Sequence, residues 1–270
     1  MGTRFIQDDA TYKLNWHKYP ILTHGVASET GRFFLTHLTL SSHEDAQAFA
    51  ALYAFVKGLV GAPLFAMADG AWLMTNAIKE VFEGRTKRLM CWSHTYRNVQ
   101  SKLAPVRAAS LALGASILAD IEAVQWSAET PEEFRKVVGV LVEHYTTLPD
   151  LTAKAATATS NFFQYFLTQW GPDSHVSNCF AGAHPFALTN NQGMEGTHTQ
   201  IKAHHTFWSE VSLNEFLQIT ENLVGYRSFV CSCLFVLWML CESSNGFWVN
   251  DKGEWRVDER TTLNKQMNCC

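Results

Sequence analysis

Two short apolar runs, Leu64 to Ala68 and Arg88 to Trp92, are each followed at once by a stretch with helical spacing. After the first, Asp69-Gly70 gives way to Ala71 to Phe82, where Leu73, Ala77, Ile78 and Val81 share one helical face; after the second, a polar helix is expected from about His94 to Leu103. Strand, helix, strand, helix is the pattern of parallel strands joined by a crossover, because parallel neighbours cannot be linked by a tight turn. An acidic residue at the carboxyl tip of a strand in such a sheet points into the crevice where ligands usually sit.

Upstream, the chain reads as an antiparallel meander. Arg4 to Asp8 is closed by Asp9 and a polar stretch to Asn15, while Pro20 to Val26 and Arg32 to Leu40 are rich in β-branched and aromatic residues around the turn cluster Ser28-Glu29-Thr30-Gly31. Ser41-Ser42-His43-Glu44 has the form of a capping box for a helix carrying Ala46, Ala50, Leu52, Phe55, Val56 and Leu59, which Gly61-Ala62-Pro63 ends.

From 105 to 186 only helical patterns remain. Thr130-Pro131-Glu132-Glu133 is a capping box with proline at the first helical position, and Asp150 is expected to open a second helix that ends at Trp170-Gly171-Pro172. Asn190-Asn191 offers N-caps to a helix carrying Met194, Glu195, His198, Ile201 and Lys202, and Ser212 starts another. The fold class is therefore α/β, a mixed sheet of antiparallel meander plus parallel strands, flanked by helices and interrupted by an all-helical insertion.

A chain of 270 residues that is 47% hydrophobic and 17% charged buries a sizeable core, which excludes disorder. No window reaches the roughly 18 apolar residues of a membrane helix; the longest run, Phe229 to Cys241, contains Ser232, and no signal pattern opens the chain. Seven cysteines, an odd number concentrated late, fit a reducing compartment. These readings favour an intracellular protein that is not secreted. A formal net charge of -4 gives no bulk attraction for nucleic acid, so any DNA contact must come from a local patch or another module.

Three carboxylates stand out: Asp9 and Asp69 at strand ends, and Glu195 in the first turns of a late helix. Stacking that helix beside the sheet would bring them into one crevice, and three convergent carboxylates are about the minimum for two hard divalent cations acting on a phosphodiester. Plainer roles are available to each: a turn residue for Asp9, a helix cap for Asp69, a favourable helix-terminal charge for Glu195. On position alone these outweigh the chemistry. Asp8 competes with Asp9, since adjacent strand residues face opposite ways.

Four blocks then carry a resemblance. Asp8-Asp9-Ala10-Thr11-Tyr12-Lys13-Leu14, Ala68-Asp69-Gly70-Ala71-Trp72 with Asn76 to Phe82, Arg88-Leu89-Met90-Cys91-Trp92-Ser93-His94 with Arg97-Asn98-Val99, and Thr189-Asn190-Asn191-Gln192-Gly193-Met194-Glu195-Gly196-Thr197 stand in order along the chain. Together, from near residue 4 to about 224, they resemble the transposase domain of Mutator-like elements (MULE). The resemblance implies an RNase H-like core with the helical insertion before the last catalytic acid. It assigns Asp9, Asp69 and Glu195 to a DDE triad holding two Mg²⁺ or Mn²⁺ ions, and it selects Asp9 over Asp8. It divides the chain into 4–104, the first part of the core; 105–186, the insertion; 187–228, the C-terminal core helices with the last acid; and 229–270, a divergent or truncated tail.

Cys91-x2-His94 matches the family's Cys-x2-His element. A structural zinc would need two further ligands, for which only His175 and Cys179 have plausible local spacing, so packing or DNA contact is the preferred role. Lys87, Arg88, Arg97, Lys102 and Arg107 form a loose basic run that is more often a solvated face than a phosphate cradle. Lys202, His204 and His205 follow Glu195 on its helix, and His198 stands where the family often has asparagine, with a charge that would change below about pH 6.5. Lys87, Arg88, Arg97, Lys102, His198 and Lys202 are the candidate DNA contacts. Trp72, Trp92 and Trp208 have the chemistry to stack on unpaired bases; core packing is favoured for Trp92 and left open for the others.

The resemblance implies metal-dependent cleavage of DNA at transposon ends and transfer of the freed strand to target DNA. Its partners would be DNA and a further copy of the chain, with no membrane, in the nucleus if the source is eukaryotic. The family's upstream DNA-binding module is not among these residues. The alternative is a domesticated or inactive relative that acts by binding DNA or protein.

Overall fold

The computed structural model describes residues 5–174, 178–184, 188–228, 246–249 and 255–258. Its main sheet has five strands: β1 (Phe5–Thr11), β2 (Ile21–Ala27), β3 (Phe33–Leu40), β4 (Phe65–Ala68) and β5 (Lys87–Met90). Their order is β3-β2-β1-β4-β5, antiparallel from β1 to β3 and parallel across β1-β4-β5. This is the mixed α/β architecture expected, an RNase H-like order with the meander on one side of β1 and the crossover strands on the other.

β1 extends further than its apolar residues suggest. Asp8 and Asp9 pair with His24 and Thr23, so Asp9 lies inside the strand rather than closing it. The buried polar neighbours His24 and Thr23 give each carboxylate a partner strand that the local sequence does not advertise.

Helices cover both faces. α1 (Ala46–Val60) and α2 (Trp72–Phe82) pack Phe49, Leu52, Tyr53, Val56, Ile78 and Phe82 onto Ile6, Leu22, Ala66 and Ala68. The expected capping box before α1 does not form: Asp45 is the N-cap, accepting from Ala48 N at 2.8 Å, which contributes about 1 kcal/mol. Asp45 wins because it directly precedes the periodic run, and Glu44 is thereby freed to face elsewhere.

On the other face lie α8 (Gln192–His204) and α9 (Leu213–Ser228), whose Ile201, Phe216 and Leu217 pack with Leu35, Leu38 and Leu40. Between β5 and α8 come α3 (Trp92–Lys102), α4 (Ala104–Ala109), α5 (Leu111–Ser127), α6 (Pro131–Thr146) and α7 (Ala153–Trp170). They share one core, from Val99 and Ile117 through Phe134, Phe163 and Trp170 to Met90 of the sheet. The Thr130/Glu133 capping box forms as expected. α7 starts later than Asp150, with Thr152 as its cap; Asp150 has a left-handed φ of 64° and lies in the turn before it. Two short strands, β6 (Gly246–Val249) and β7 (Trp255–Asp258), pair antiparallel. The apolar run Phe229 to Cys241 lies outside the described residues. Among those that are described, no helix is long and apolar enough to cross a membrane.

Candidate active site

Strand alternation separates the two neighbouring acids. Asp8 is fully buried on the α1/α2 face, its Oδ1 2.6 Å from His24 Nδ1, and its charge contributes to raising the pKa of the Tyr53 hydroxyl. Asp9 projects to the opposite face with Gln7, whose amide donates to Met67 Sδ at 3.8 Å and to the carbonyl of Asn190 at 3.2 Å. Asp69 directly follows β4, and its Oδ1 accepts from Ala71 N at 2.8 Å, a turn contact rather than the expected helix cap, because Ala71 is itself the N-cap of α2.

Glu195 is brought to this face by close packing under α8. A Cβ on Gly193 would stand 2.5 Å from Phe33 Cβ, so the helix reaches β3 only because residue 193 is glycine. One turn along, Met194 and His198 meet Thr23, whose hydroxyl donates to the Asp9 carbonyl at 3.0 Å and shares a 2.7 Å hydrogen bond with His198 Nε2. The N-terminus of α8 is also held to the tip of β5. Cys91 Sγ donates to Asn191 Oδ1 at 2.9 Å, Asn191 N donates back to the sulfur at 3.4 Å, and Trp92 N donates to the carbonyl of Thr189 at 2.7 Å.

The carboxylates act on one another. Burial chiefly, then the charge of Asp69, pushes the Asp9 acid up to about 7; Glu195 and Glu44 add to the rise, and the Ala10 N–H opposes it. Glu44 is itself raised, by burial first and then by Asp69. The residue read as part of a capping box is thus a fourth carboxylate bordering the site. Its signal was the second possible cap, Asp45, which made the Ser41–Glu44 box unnecessary.

Glu195 has cationic company. Arg97 Nη2 pairs with Glu195 Oε1, and His94 Nε2 is 3.9 Å from the same oxygen. Burial lowers the pKa of His94, with the negative charge of Asp69 opposing. Among the described residues, no group of three or more His, Cys, Asp or Glu side chains is gathered tightly enough to hold a metal ion as it stands. The donor set nevertheless suits a hard cation in kind: all oxygen, with an Asp9 acid raised chiefly by burial and then by the negative charge of Asp69.

Several candidate DNA contacts have inward roles instead. Arg88 is buried, its guanidinium donating to the carbonyls of Ala68 (3.2 Å), Leu89 and Asp69, so it braces the β4 tip rather than meeting a phosphate. His198 is buried against Thr23, and burial takes its pKa down to about 4; it does not gain charge near pH 6.5 and is not available to DNA. The helical face that carries it must cover the sheet, which is why a position that looked peripheral is internal. Lys87 donates to the carbonyl of Ala183 at 3.0 Å, and Lys102 sits 5.1 Å from the centre of the Tyr165 ring. Arg97 is exposed apart from its pairing with Glu195, and Lys202 is half-buried.

Of the Cys-x2-His element, Cys91 is buried with its thiol pKa raised and its sulfur engaged by Asn191, while His94 faces Glu195. Cys179 is buried, with its thiol pushed up to about 12, and His175 lies outside the described residues. Trp92 packs against the insertion core, whereas Trp72 and Trp208 are exposed.

The insertion also reaches the site. A Cβ on Gly70, next to Asp69, would meet the Trp170 ring at 2.8 Å, so the end of α7 rests directly on the β4 tip.

No family model matches the chain, and no curated protein matches it. Solved structures do: the catalytic core domain of HTLV-2 integrase in complex with magnesium, in a dimeric form at 17% identity over 38% of this chain and 72% of that one, with a TM-score of 0.26. The trimeric form of the same domain matches at 13% identity over 57% of this chain and 95% of that one, with a TM-score of 0.27. The fold assignment rests on the strand order and pairing rather than on these likenesses.

Proposed function

We propose that this chain is a transposase-derived catalytic domain of the Mutator-like type, a DDE enzyme that cleaves DNA strands and transfers them with divalent metal. The observation that supports the reading is a buried Asp9 acid raised further by the charges of Asp69 and Glu195, which come from separate stretches of sequence, in a sheet with this strand order. Asp9, Asp69 and Glu195 are the residues that would hold two Mg²⁺ or Mn²⁺ ions. When bound, such ions supply positive charge to the attacking and leaving oxygens of the phosphodiester.

The chain's own residues set the geometry. Arg88 and the Trp170–Gly70 contact fix the tip that carries Asp69, Thr23 ties the Asp9 backbone to α8, and the Cys91–Asn191 pair anchors the helix that carries Glu195. Arg97 holds Glu195 until a cation competes for it.

That last ion pair also favours a second reading, a domesticated relative in which the acids serve structure and the protein binds DNA or protein without cutting. A nicking assay on supercoiled DNA with Mg²⁺ or Mn²⁺ separates the two. Metal-dependent nicks that vanish in Asp69→Asn support the enzyme; no nicking above the Asp69→Asn background, by a preparation that calorimetry shows to bind the metal, sinks it.

A further inference from the structure

Beyond the carboxylates, the most unusual surface lies where two loops are tied together. The loop after β1 (residues 12–19) and the loop after α8 (205–212) are joined by an isolated parallel bridge between Asn15 and Val211, with Trp16 N donating to the Val211 carbonyl at 2.9 Å and Val211 N to the Leu14 carbonyl at 3.3 Å. Trp16, Phe207 and Trp208 are exposed there by 65%, 74% and 67%.

These rings are held outward rather than left over. Phe207 and Trp208 both have left-handed backbone, with φ of 49° and 60°, a conformation that bulky residues adopt only where surrounding contacts enforce it. Trp208 N is fixed to the Lys202 carbonyl at 2.7 Å, and the Trp16 indole N–H is already spent on the Glu210 carbonyl at 2.7 Å. What Trp16 offers to a partner is therefore its ring face. Lys13, Lys18 and Lys202 stand on the same two loops and the adjoining helix, where Glu210 is paired with Lys18.

We propose that this aromatic and basic platform binds unpaired single-stranded DNA, its rings stacking on bases and Lys13 and Lys202 meeting the backbone. Rings with flanking ammonium groups are the arrangement that binds single strands without reading sequence. Location supports the same occupant, and here the inference rests on the strand-cleavage reading. The first loop leaves the end of β1 just past Asp9, and Lys202 lies two turns beyond Glu195 on α8, about 10 Å along the axis. A strand lying on the platform would lead toward the carboxylates.

The test uses the full chain in EDTA, so that cutting cannot intervene, and the anisotropy of a labelled oligothymidylate of about 12 nucleotides. Removing two rings in Trp16→Ala/Trp208→Asn, where asparagine tolerates the left-handed backbone, should weaken binding tenfold or more, the loss expected when stacking of a base is removed. Trp16→Phe/Trp208→Phe should stay within about threefold of the parent, because stacking survives. An affinity within twofold of the parent after both rings are removed overturns the proposal. So does unchanged DNA affinity accompanied by loss of self-association in light scattering, which would make the face a contact between copies. Failure of the platform with nicking intact removes this inference alone, and ring-dependent binding without nicking removes the strand-cleavage reading alone.

Discussion

Replacing Asp9 by asparagine should stabilise the metal-free protein, and do so only at neutral and alkaline pH. The Asp9 acid moves from 3.8 to about 7 on folding. Such a group carries no penalty below its unfolded value; the cost of ionising it in the fold grows as pH rises through the interval and is complete above the folded value. At about 1.4 kcal/mol per pH unit, the penalty is about 4 kcal/mol at pH 8 and about 1 kcal/mol at pH 4.5. Asparagine removes the charge and retains an oxygen for the Ala10 N–H, which now donates to Asp9 at 2.9 Å.

The assay is urea unfolding of parent and Asp9→Asn at the two pH values in EDTA. The variant should gain about 3 kcal/mol relative to the parent on going from pH 4.5 to pH 8. Adding Mg²⁺ at pH 8 should narrow the gap by stabilising the parent alone. A variant equally or less stable than the parent at pH 8 would refute the claim that Asp9 is strained by burial and by Asp69.

Arg97→Ala should tighten Mg²⁺ binding a few-fold in calorimetry, because Glu195 no longer has to leave a cation; unchanged or weaker binding would show that the ion pair does not compete with metal. Gly70→Ala should lower stability by about 1 to 3 kcal/mol in thermal unfolding, since the new methyl meets the Trp170 ring at 2.8 Å, and a neutral result would mean that α7 yields freely there. His37, His184 and His198 have pKa values lowered to about 3, 4 and 4 by burial, so the unfolded chain takes up their protons first and stability should fall as pH drops from 6.5 toward 4. His198→Gln should flatten that slope, and a slope as steep as the parent's would argue that His198 is not buried neutral.

What the sequence showed and what it hid divide along physical lines. β-Branched and aromatic richness in β2 and β3 and helical spacing in α1 and α2 are local signals, and the elements appear close to where those signals put them. The reach of β1 past Asp8, the burial of Arg88 and the inward turn of His198 depend on partners 14 to 175 residues away, on which local spacing is silent. Glu44 was misread for a narrower reason: two caps competed, and the sequence alone does not say which backbone N–H each side chain will meet. The facing of Asp9 away from Asp8 follows from strand alternation, but which face holds Asp69 and Glu195 required the sheet order.

The seat of the α7 tryptophan on the glycine beside Asp69 couples the insertion to the core more tightly than a tethered module would be. A graft that exchanged this helical segment for another would carry away one wall of the crevice as well as a surface. The two halves of that contact should therefore be transplanted together, and a chimera that keeps only one of them should misplace its second acid even if both parts fold.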